Sequence, residues 1–314
     1  MGTVMSVTGP ISSDQLGFTL MHEHIFLDLT RDTPGRNAML NDKELAYQEL
    51  MLYKNAGGVT LVDQTTGGLR GHDNDLLPVK HAVAIRDMAE RTGLNIILGA
   101  GWYREPYYEQ RLYRMRTNEI ADELIRDIKE GIDGTDVKAG ILGENGSHFT
   151  WVSPVEERVM RAVARAHKET GLTIATHTFC YTVGLDQLDI LEEEGVDLRR
   201  VVIGHCHQYN SHEYHAEIAR RGAWVQFDRM GRQALYEHDT WIRMILDMVK
   251  AGLVRQVLLS QDVCFRPEYV SYGGKGYAYV VGELRGELLA LGVTEEQYDQ
   301  MTVDNPRRAL TGEE

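Results

Sequence analysis

The sequence alternates between two kinds of segment, and this alternation most strongly limits the fold. Short apolar runs with the composition of buried strands occur at residues 18–22, 59–63, 95–99, 139–144, 172–177, 200–205, 223–228 and 256–262. Segments with helical periodicity follow them, at residues 42–55, 75–91, 118–130, 154–170, 185–194, 213–221, 240–251 and 276–291. Parallel strands need such crossovers, so eight strand-helix units favour a closed (β/α)8 TIM barrel, with an open doubly wound sheet as the alternative.

Length and charge limit the class of protein. A chain of 314 residues, 43% of them hydrophobic, is long enough for such a barrel, so we expect one domain over residues 1–314. The formal charge of −14 and the lack of a Lys/Arg block argue against nucleic-acid binding. No apolar run is long enough for a membrane span, and scattered cysteines fit a reducing compartment. We therefore expect a cytoplasmic protein with a small-molecule substrate, and we leave a homodimer open.

Six potential metal ligands stand at or next to the ends of the predicted strands. They are histidines and carboxylates, namely His22, His24, Glu144, His177, His205 and Asp262. The first two belong to the first strand, and the others to the fourth, fifth, sixth and eighth strands. Because a barrel places its chemistry at the carboxyl ends of its strands, these side chains should meet at one mouth. The sequence therefore predicts a metal centre there.

The donor types predict which ions bind and how many. Imidazole and carboxylate without cysteine suit zinc, with manganese, cobalt and iron as alternatives, and a bridging carboxylate allows this set to hold two ions. Glu144 is the expected bridge because the fourth strand lies across the mouth from the first. Asp262, on the strand next to the first, should join the first pair of histidines. His177 and His205 would then hold the second ion.

These motifs resemble the binuclear site of a known family. The paired histidines of the first strand and the sequences around His177, His205 and Asp262 are similar to those of the phosphotriesterase family in the amidohydrolase superfamily. The resemblance runs over nearly the whole chain. The founding phosphotriesterase has a carboxylated lysine as bridge, whereas this chain has Gly143 at that point, followed by Glu144. It is therefore most similar to the glutamate-bridged phosphotriesterase homology proteins and the phosphotriesterase-like lactonases.

The resemblance also implies substrate contacts beside the metals. Tyr103, after the third strand, and Arg229, after the seventh, are similar to residues that line the substrate pocket of lactonase-type members. Lys275, in a glycine-rich turn after the eighth strand, is a further candidate because it could meet an anionic substrate group. The structural alternatives are a half-buried tyrosine, a helix-capping arginine and a solvated loop lysine.

The resulting hypothesis is a metal-dependent hydrolase of an ester, a lactone or a related acyl substrate, with promiscuous phosphotriesterase activity as a further expectation. A metal-bridging hydroxide would attack the substrate carbonyl, and Asp262 would be the catalytic residue that takes the proton. Two alternatives stay open. One is a metal-containing ligand-binding protein without efficient hydrolysis, and the other is an N-acyl amide hydrolase. A complete ligand set favours catalysis.

Overall fold

A parallel sheet of eight strands forms the centre of the computed structural model, which describes residues 2–71, 76–232 and 237–313. The strands are β1 Thr19–Glu23, β2 Thr60–Asp63, β3 Asn95–Ala100, β4 Ile141–Gly146, β5 Ile174–His177, β6 Val201–Ile203, β7 Trp224–Phe227 and β8 Val257–Leu259. Their order in the sheet is their order in the chain, and neighbouring strands are parallel. Each strand overlaps one of the predicted apolar runs.

The first and last strands meet and close the sheet into a barrel. The His22 N–H donates to Ser260 Oγ at 2.9 Å. The Asp262 N–H donates to the His22 carbonyl at 3.1 Å. These bonds join β1 to the segment that follows β8. The predicted (β/α)8 barrel is therefore confirmed, and the open doubly wound sheet is wrong.

Of the helices that the structure describes, the first seven connect consecutive strands, and three more follow the last strand. They are α1 Lys43–Asn55, α2 His81–Thr92, α3 Thr117–Lys129, α4 Pro154–Thr170, α5 Val183–Glu193, α6 His212–Arg220, α7 His238–Lys250, α8 Arg285–Ala290, α9 Glu295–Asp299 and α10 Asn305–Thr311. The helix predicted over 75–91 begins only at His81, and residues 72–75 lie outside the described part of the chain. Within the residues described, no helix has the length and apolar character needed to cross a membrane.

The predicted helix over 276–291 differs from the structure. The segment Val280–Leu284 is a π-helical turn, and regular α-helix occurs only in α8. The Val280 N–H donates to Gln261 Oε1 at 3.1 Å, so a contact with the segment after β8 stabilises the irregular backbone. This contact joins residues far apart in the pattern, which is why helical periodicity did not reveal it.

An apolar plug fills the amino end of the barrel and leaves the other end for polar side chains. Each strand gives one buried residue to an inner cluster, namely Met21, Val62, Ile97, Ile141, Ala175, Val202, Trp224 and Leu258. Val4, from an antiparallel hairpin of Thr3–Ser6 and Gly9–Ser12, and Leu310 of α10 belong to the same cluster. The hydroxyl group of Thr173, just before β5, donates to the backbone of α10, so α10 covers the amino ends of the strands. The mouth of the barrel is therefore at the carboxyl ends.

Candidate metal centre

Six buried donors come together at the mouth, and they are the six that the sequence predicts as ligands. They are His22 in β1, His24 directly after β1, Glu144 in β4, His177 at the end of β5, His205 after β6 and Asp262 after β8. Each is at most 5% exposed. His205 and Asp262 have backbone φ angles of 56° and 47°, a region that non-glycine residues seldom adopt. Strained residues of this kind cluster at functional sites.

The first group of donors, which we call the carboxylate half, consists of His22, His24 and Asp262 together with Glu144. His24 Nε2 lies 3.3 Å from Asp262 Oδ1 and 3.6 Å from Glu144 Oε1. His22 Nε2 lies 3.5 Å from Glu144 Oε2 and 3.8 Å from Asp262 Oδ1. Two ligands that bind one ion at about 2.0–2.1 Å in tetrahedral geometry stand about 3.3 Å apart. These donors therefore have the spacing of ligands to a single ion.

The second group, which we call the imidazole half, consists of His177 and His205, again with Glu144. His205 Nε2 lies 3.5 Å from Glu144 Oε2, and the centres of the two imidazole rings are 4.5 Å apart. One ligand atom from each of these three residues lies within 4.8 Å of the others. Glu144 is thus the carboxylate that the two halves share.

Three donor atoms of the centre are buried without a hydrogen-bond partner among the described residues. They are His22 Nε2, Glu144 Oε2 and His177 Nδ1. Buried polar atoms nearly always have a partner, and leaving one unsatisfied costs about 1–3 kcal/mol. Divalent cations bound in the two halves would satisfy all three atoms, and imidazole and carboxylate are donors that zinc and other first-row ions accept. The residues present therefore fit a metal.

The other nitrogen of most of these imidazoles is held by a neighbouring side chain. His205 Nδ1 lies 2.9 Å from Asp228 Oδ1, and His22 Nδ1 lies 3.3 Å from Asp228 Oδ2. His24 Nδ1 lies 2.9 Å from Thr65 Oγ1. Such contacts fix the orientation and tautomer of a metal-binding histidine. Sequence reasoning assigned no role to Asp228, although its position directly after β7 was a usable signal.

The buried carboxylates favour positive charge at this centre. Burial alone would lower the pKa of His22, but the carboxylates around it, that of Glu144 first, raise it to about 10. Burial also lowers the pKa of His205, but Asp228 and Glu144 outweigh it and raise the pKa to about 9. His177 differs, because burial and the neighbouring cationic groups lower its pKa well below the usual value. A neutral imidazole keeps a lone pair for a cation.

Glu23 supports the centre from the opposite face of β1. Its carboxylate accepts hydrogen bonds from Ser260 Oγ and the Gln261 N–H, both at 2.7 Å, and from the Val263 N–H at 2.9 Å. These bonds hold the backbone on both sides of Asp262. Sequence reasoning missed this role, because no local signal connects Glu23 to partners 238 residues away.

The three predicted substrate contacts lie in different surroundings. The Tyr103 hydroxyl is 3.1 Å from His177 Nε2, so it touches the imidazole half. Arg229 Nε donates to Asp262 Oδ2 at 2.8 Å, which places Arg229 against the carboxylate half. Lys275 instead pairs with Glu283 and lies 5.6 Å from the centre of the Tyr279 ring. Within the described part of the chain, these contacts of Lys275 include none of the six donors.

A cavity of about 630 Å³ opens beside the centre, within the usual range for small-molecule sites. The loops after β5, β6 and β7 and the start of α7 form its walls. Trp241 gives it apolar surface. Arg229 and His207 also line it, and they contact Asp262 and Asp228 respectively. Arg229 therefore links the cavity to Asp262, one of the six donors.

The fold and the donors together define a class of protein, a (β/α)8 barrel with a histidine and carboxylate centre at its mouth. The model of the phosphotriesterase family matches residues 2–310. The chain therefore belongs to the phosphotriesterase family, and the prediction from its motifs is confirmed.

Three similar proteins match over nearly the whole chain. A phosphotriesterase homology protein of Escherichia coli is 32% identical over 296 residues, which cover 94% of this chain and 98% of that protein. An N-acetyltaurine hydrolase of Danio rerio is 27% identical over 352 aligned positions, with 99% and 98% covered. The crystal structure of a lactonase from Listeria monocytogenes has a TM-score of 0.90 at 27% identity, with 99% of this chain and 100% of that chain covered.

Proposed function

We propose that this chain is a hydrolase that uses two divalent ions, one in each half of the centre, to cleave a carboxylic ester or a lactone. The observation that carries the proposal is the position of Glu144, whose carboxylate lies 3.5–3.6 Å from ligand nitrogens of both halves. The unpartnered atoms His22 Nε2 and His177 Nδ1, one in each half, support an ion on each side of it. Zinc is the first ion to test, followed by manganese, cobalt and iron.

The bound ions would supply an activated water and positive charge beside the substrate carbonyl. Among the chain's own residues, Asp262 contacts both the metal centre and Arg229. Its Oδ1 faces His24, while its Oδ2 accepts from Arg229. Burial alone would raise the pKa of Asp262, but Arg229 and the nearby histidines hold it well below the usual range. Asp262 is a weak proton acceptor while this pair persists, so we assign the proton transfer to the state in which substrate draws Arg229 away.

The cavity beside the centre supports an acyl substrate that has both an apolar and a polar part. Trp241 offers apolar surface, and Arg229 offers a cation to a carbonyl or anionic group. The lactonase and the N-acetyltaurine hydrolase are named for reactions at an acyl carbon. Ester and lactone hydrolysis is therefore our first proposal, and N-acyl amide hydrolysis is the second, with phosphotriesters as promiscuous substrates.

The test combines metal analysis with a substrate panel. Purified protein is analysed for bound metal, and esters, lactones, N-acyl amides and phosphotriesters are assayed with and without a chelator. We expect about two divalent ions per chain and acyl hydrolysis that disappears on chelation. Fully active protein with less than one ion per chain would overturn the two-ion mechanism. Two bound ions without turnover of any substrate in the panel would favour the ligand-binding alternative.

A pair of buried histidines provides a matched control for this experiment. His177→Asn removes a proposed ligand, whereas His167→Asn changes a histidine of α4 whose Nδ1 lies 2.7 Å from the Leu172 carbonyl. We expect loss of metal and activity in the first variant and retention of both in the second. Equal metal content in the two variants would contradict the assignment of His177.

A further inference from the structure

Arg104 is a buried cation at the barrel mouth that the proposed reaction does not use. It is 7% exposed. Its guanidinium lies 4.8 Å from the centre of the Tyr103 ring and 5.2 Å from that of the Tyr107 ring. It also pairs with Asp32 and contacts His148. A charge removed from water needs a partner of opposite charge, and Asp32 provides it here.

These contacts tie three loops together. Asp32 lies between β1 and α1, Tyr107 lies after β3, and His148 lies after β4. The Tyr107 hydroxyl donates to Asp32 Oδ2 at 2.8 Å, so Asp32 has a second bond besides its pair with Arg104. The Asp32 side chain is 32% exposed, so the pair is buried only at its Arg104 end, and ion pairs that reach solvent contribute little to stability. Stability alone therefore does not explain this arrangement. Its effect is instead to hold the adjacent Tyr103 ring in a fixed position.

Tyr103 connects Arg104 to the centre. Its hydroxyl oxygen is 3.1 Å from His177 Nε2, and the two rings meet edge to face at 4.7 Å between centres. The free nitrogen of His177 is therefore Nδ1, which is buried without a partner among the described residues. A lone pair on Nδ1 requires the ring proton on Nε2, which then donates to the Tyr103 oxygen.

His177 has the opposite orientation from the other histidines of the centre. His22, His24 and His205 are held through Nδ1 and face Glu144 with Nε2. Asp228 or a threonine hydroxyl holds the Nδ1 atom of each of these three histidines, whereas a tyrosine hydroxyl holds Nε2 of His177. Its orientation therefore depends on where the Tyr103 ring stands.

We propose that Arg104 is a positioning residue for His177 and acts through Tyr103. The guanidinium, anchored by Asp32, holds the Tyr103 ring at the place where its oxygen accepts from His177 Nε2. Nδ1 then faces the place where the ion of the imidazole half would bind. The inference rests on the proposed function, because it takes His177 to be a metal ligand.

A double-mutant cycle on metal binding tests this proposal. Metal-free wild type, Arg104→Gln, Tyr103→Phe and the double variant are titrated with Co²⁺ and followed by visible absorbance. We expect each single variant to weaken binding of one of the two ions by about 10- to 100-fold, the usual effect of removing a residue that orients a ligand. We expect the double variant to be no weaker than Tyr103→Phe alone, because Arg104 then has nothing left to position.

Arg91 provides a matched control for the cycle. Its guanidinium lies 4.4 Å from the centre of the Tyr47 ring and 2.9 Å from a carboxylate oxygen of Glu44, the same kind of contact at the protein surface. Arg91→Gln should leave both Co²⁺ affinities unchanged. If Arg104→Gln does not fold, Asp32→Asn replaces it, because it changes the partly exposed carboxylate that pairs with Arg104. Asp32→Asn should weaken binding of the same ion.

The outcomes separate this inference from the proposed function. A wild-type chain that binds no Co²⁺ would overturn both. Two ions bound by wild type, with losses that add in the double variant or with no loss in Arg104→Gln, would overturn the inference and leave the proposed function standing. A loss confined to kcat, with unchanged absorption bands and affinities, would also contradict it.

Discussion

The carboxylate half and the imidazole half of the centre differ in charge and in support. The carboxylate half has Asp262 in addition to the shared Glu144, and Glu23 fixes the backbone around Asp262. In the imidazole half, His177 and His205 have Glu144 as their carboxylate among the donors. An ion in the carboxylate half should therefore bind more tightly. An ion in the imidazole half should depend more on how its two rings are oriented.

This comparison ranks the residues of the site by how many ions they serve. On the proposed function, Glu144 would serve both halves, Asp262 would serve one half as a ligand, and Glu23 would act on that half through the backbone. Arg229 touches the same half through Asp262. The effects of substitution should fall in this order.

The largest effect is expected for Glu144→Gln, which removes the charge that both halves share. A neutral amide cannot offset two dications, so both ions should bind weakly and turnover should be abolished. Elemental analysis after gel filtration, together with hydrolysis rates, measures both quantities. Unchanged metal content and rate would show that another residue is the bridge.

Asp262→Asn should affect the carboxylate half alone. A positioned general acid or base contributes about 10²–10⁴ in rate, so kcat should fall by roughly that factor, and further if an ion is also lost. Metal content should fall towards one ion per chain while the imidazole half stays loaded. A variant that kept both ions and a near-normal kcat would rule out proton transfer by Asp262.

Glu23→Gln and Glu49→Gln form a matched pair that tests support of the carboxylate half. Glu49 also accepts two backbone N–H groups, at 2.9 Å each, and a serine hydroxyl at 2.7 Å, but in the segment around Ser271. In either variant an amide N–H faces N–H donors, so both should lose about 1–3 kcal/mol of unfolding free energy.

The two variants should differ in their metal binding. Only Glu23→Gln loosens the backbone on both sides of Asp262, so it alone should weaken the ion of the carboxylate half. Chemical denaturation and Co²⁺ titration of the two proteins check this. Equal metal affinities at equal losses of stability would show that Glu23 only stabilises the fold.

The parts of the molecule that sequence could predict are those with a local signal. Buried parallel strands are continuous apolar runs, so all eight could be placed, and the barrel then located the six donors at its mouth. Glu23 and Arg104 carry no such signal, since their partners come from distant segments. Asp228 directly follows β7, so its position was a signal that the sequence prediction did not use. The segment before α3 buries Arg104 against the rings of Tyr103 and Tyr107, a contact that no pattern in the sequence predicts.

The smallest effects are expected at Arg229 and Lys275, because neither residue is one of the six donors. Arg229 lines the cavity and holds Asp262, so Arg229→Ala should raise KM and change the ranking of substrates more than it changes metal content. Lys275 pairs with Glu283 on the surface, and such pairs contribute about 0–1 kcal/mol, so Lys275→Ala should leave KM, kcat and metal content near wild type. Steady-state kinetics on the best ester or lactone, with elemental analysis of both variants, measures the difference. Lys275→Ala could instead show a large rise in KM for an anionic substrate and none for its neutral analogue. That outcome would place Lys275 in the substrate site, because only a lysine that reaches the bound substrate can distinguish the two by charge.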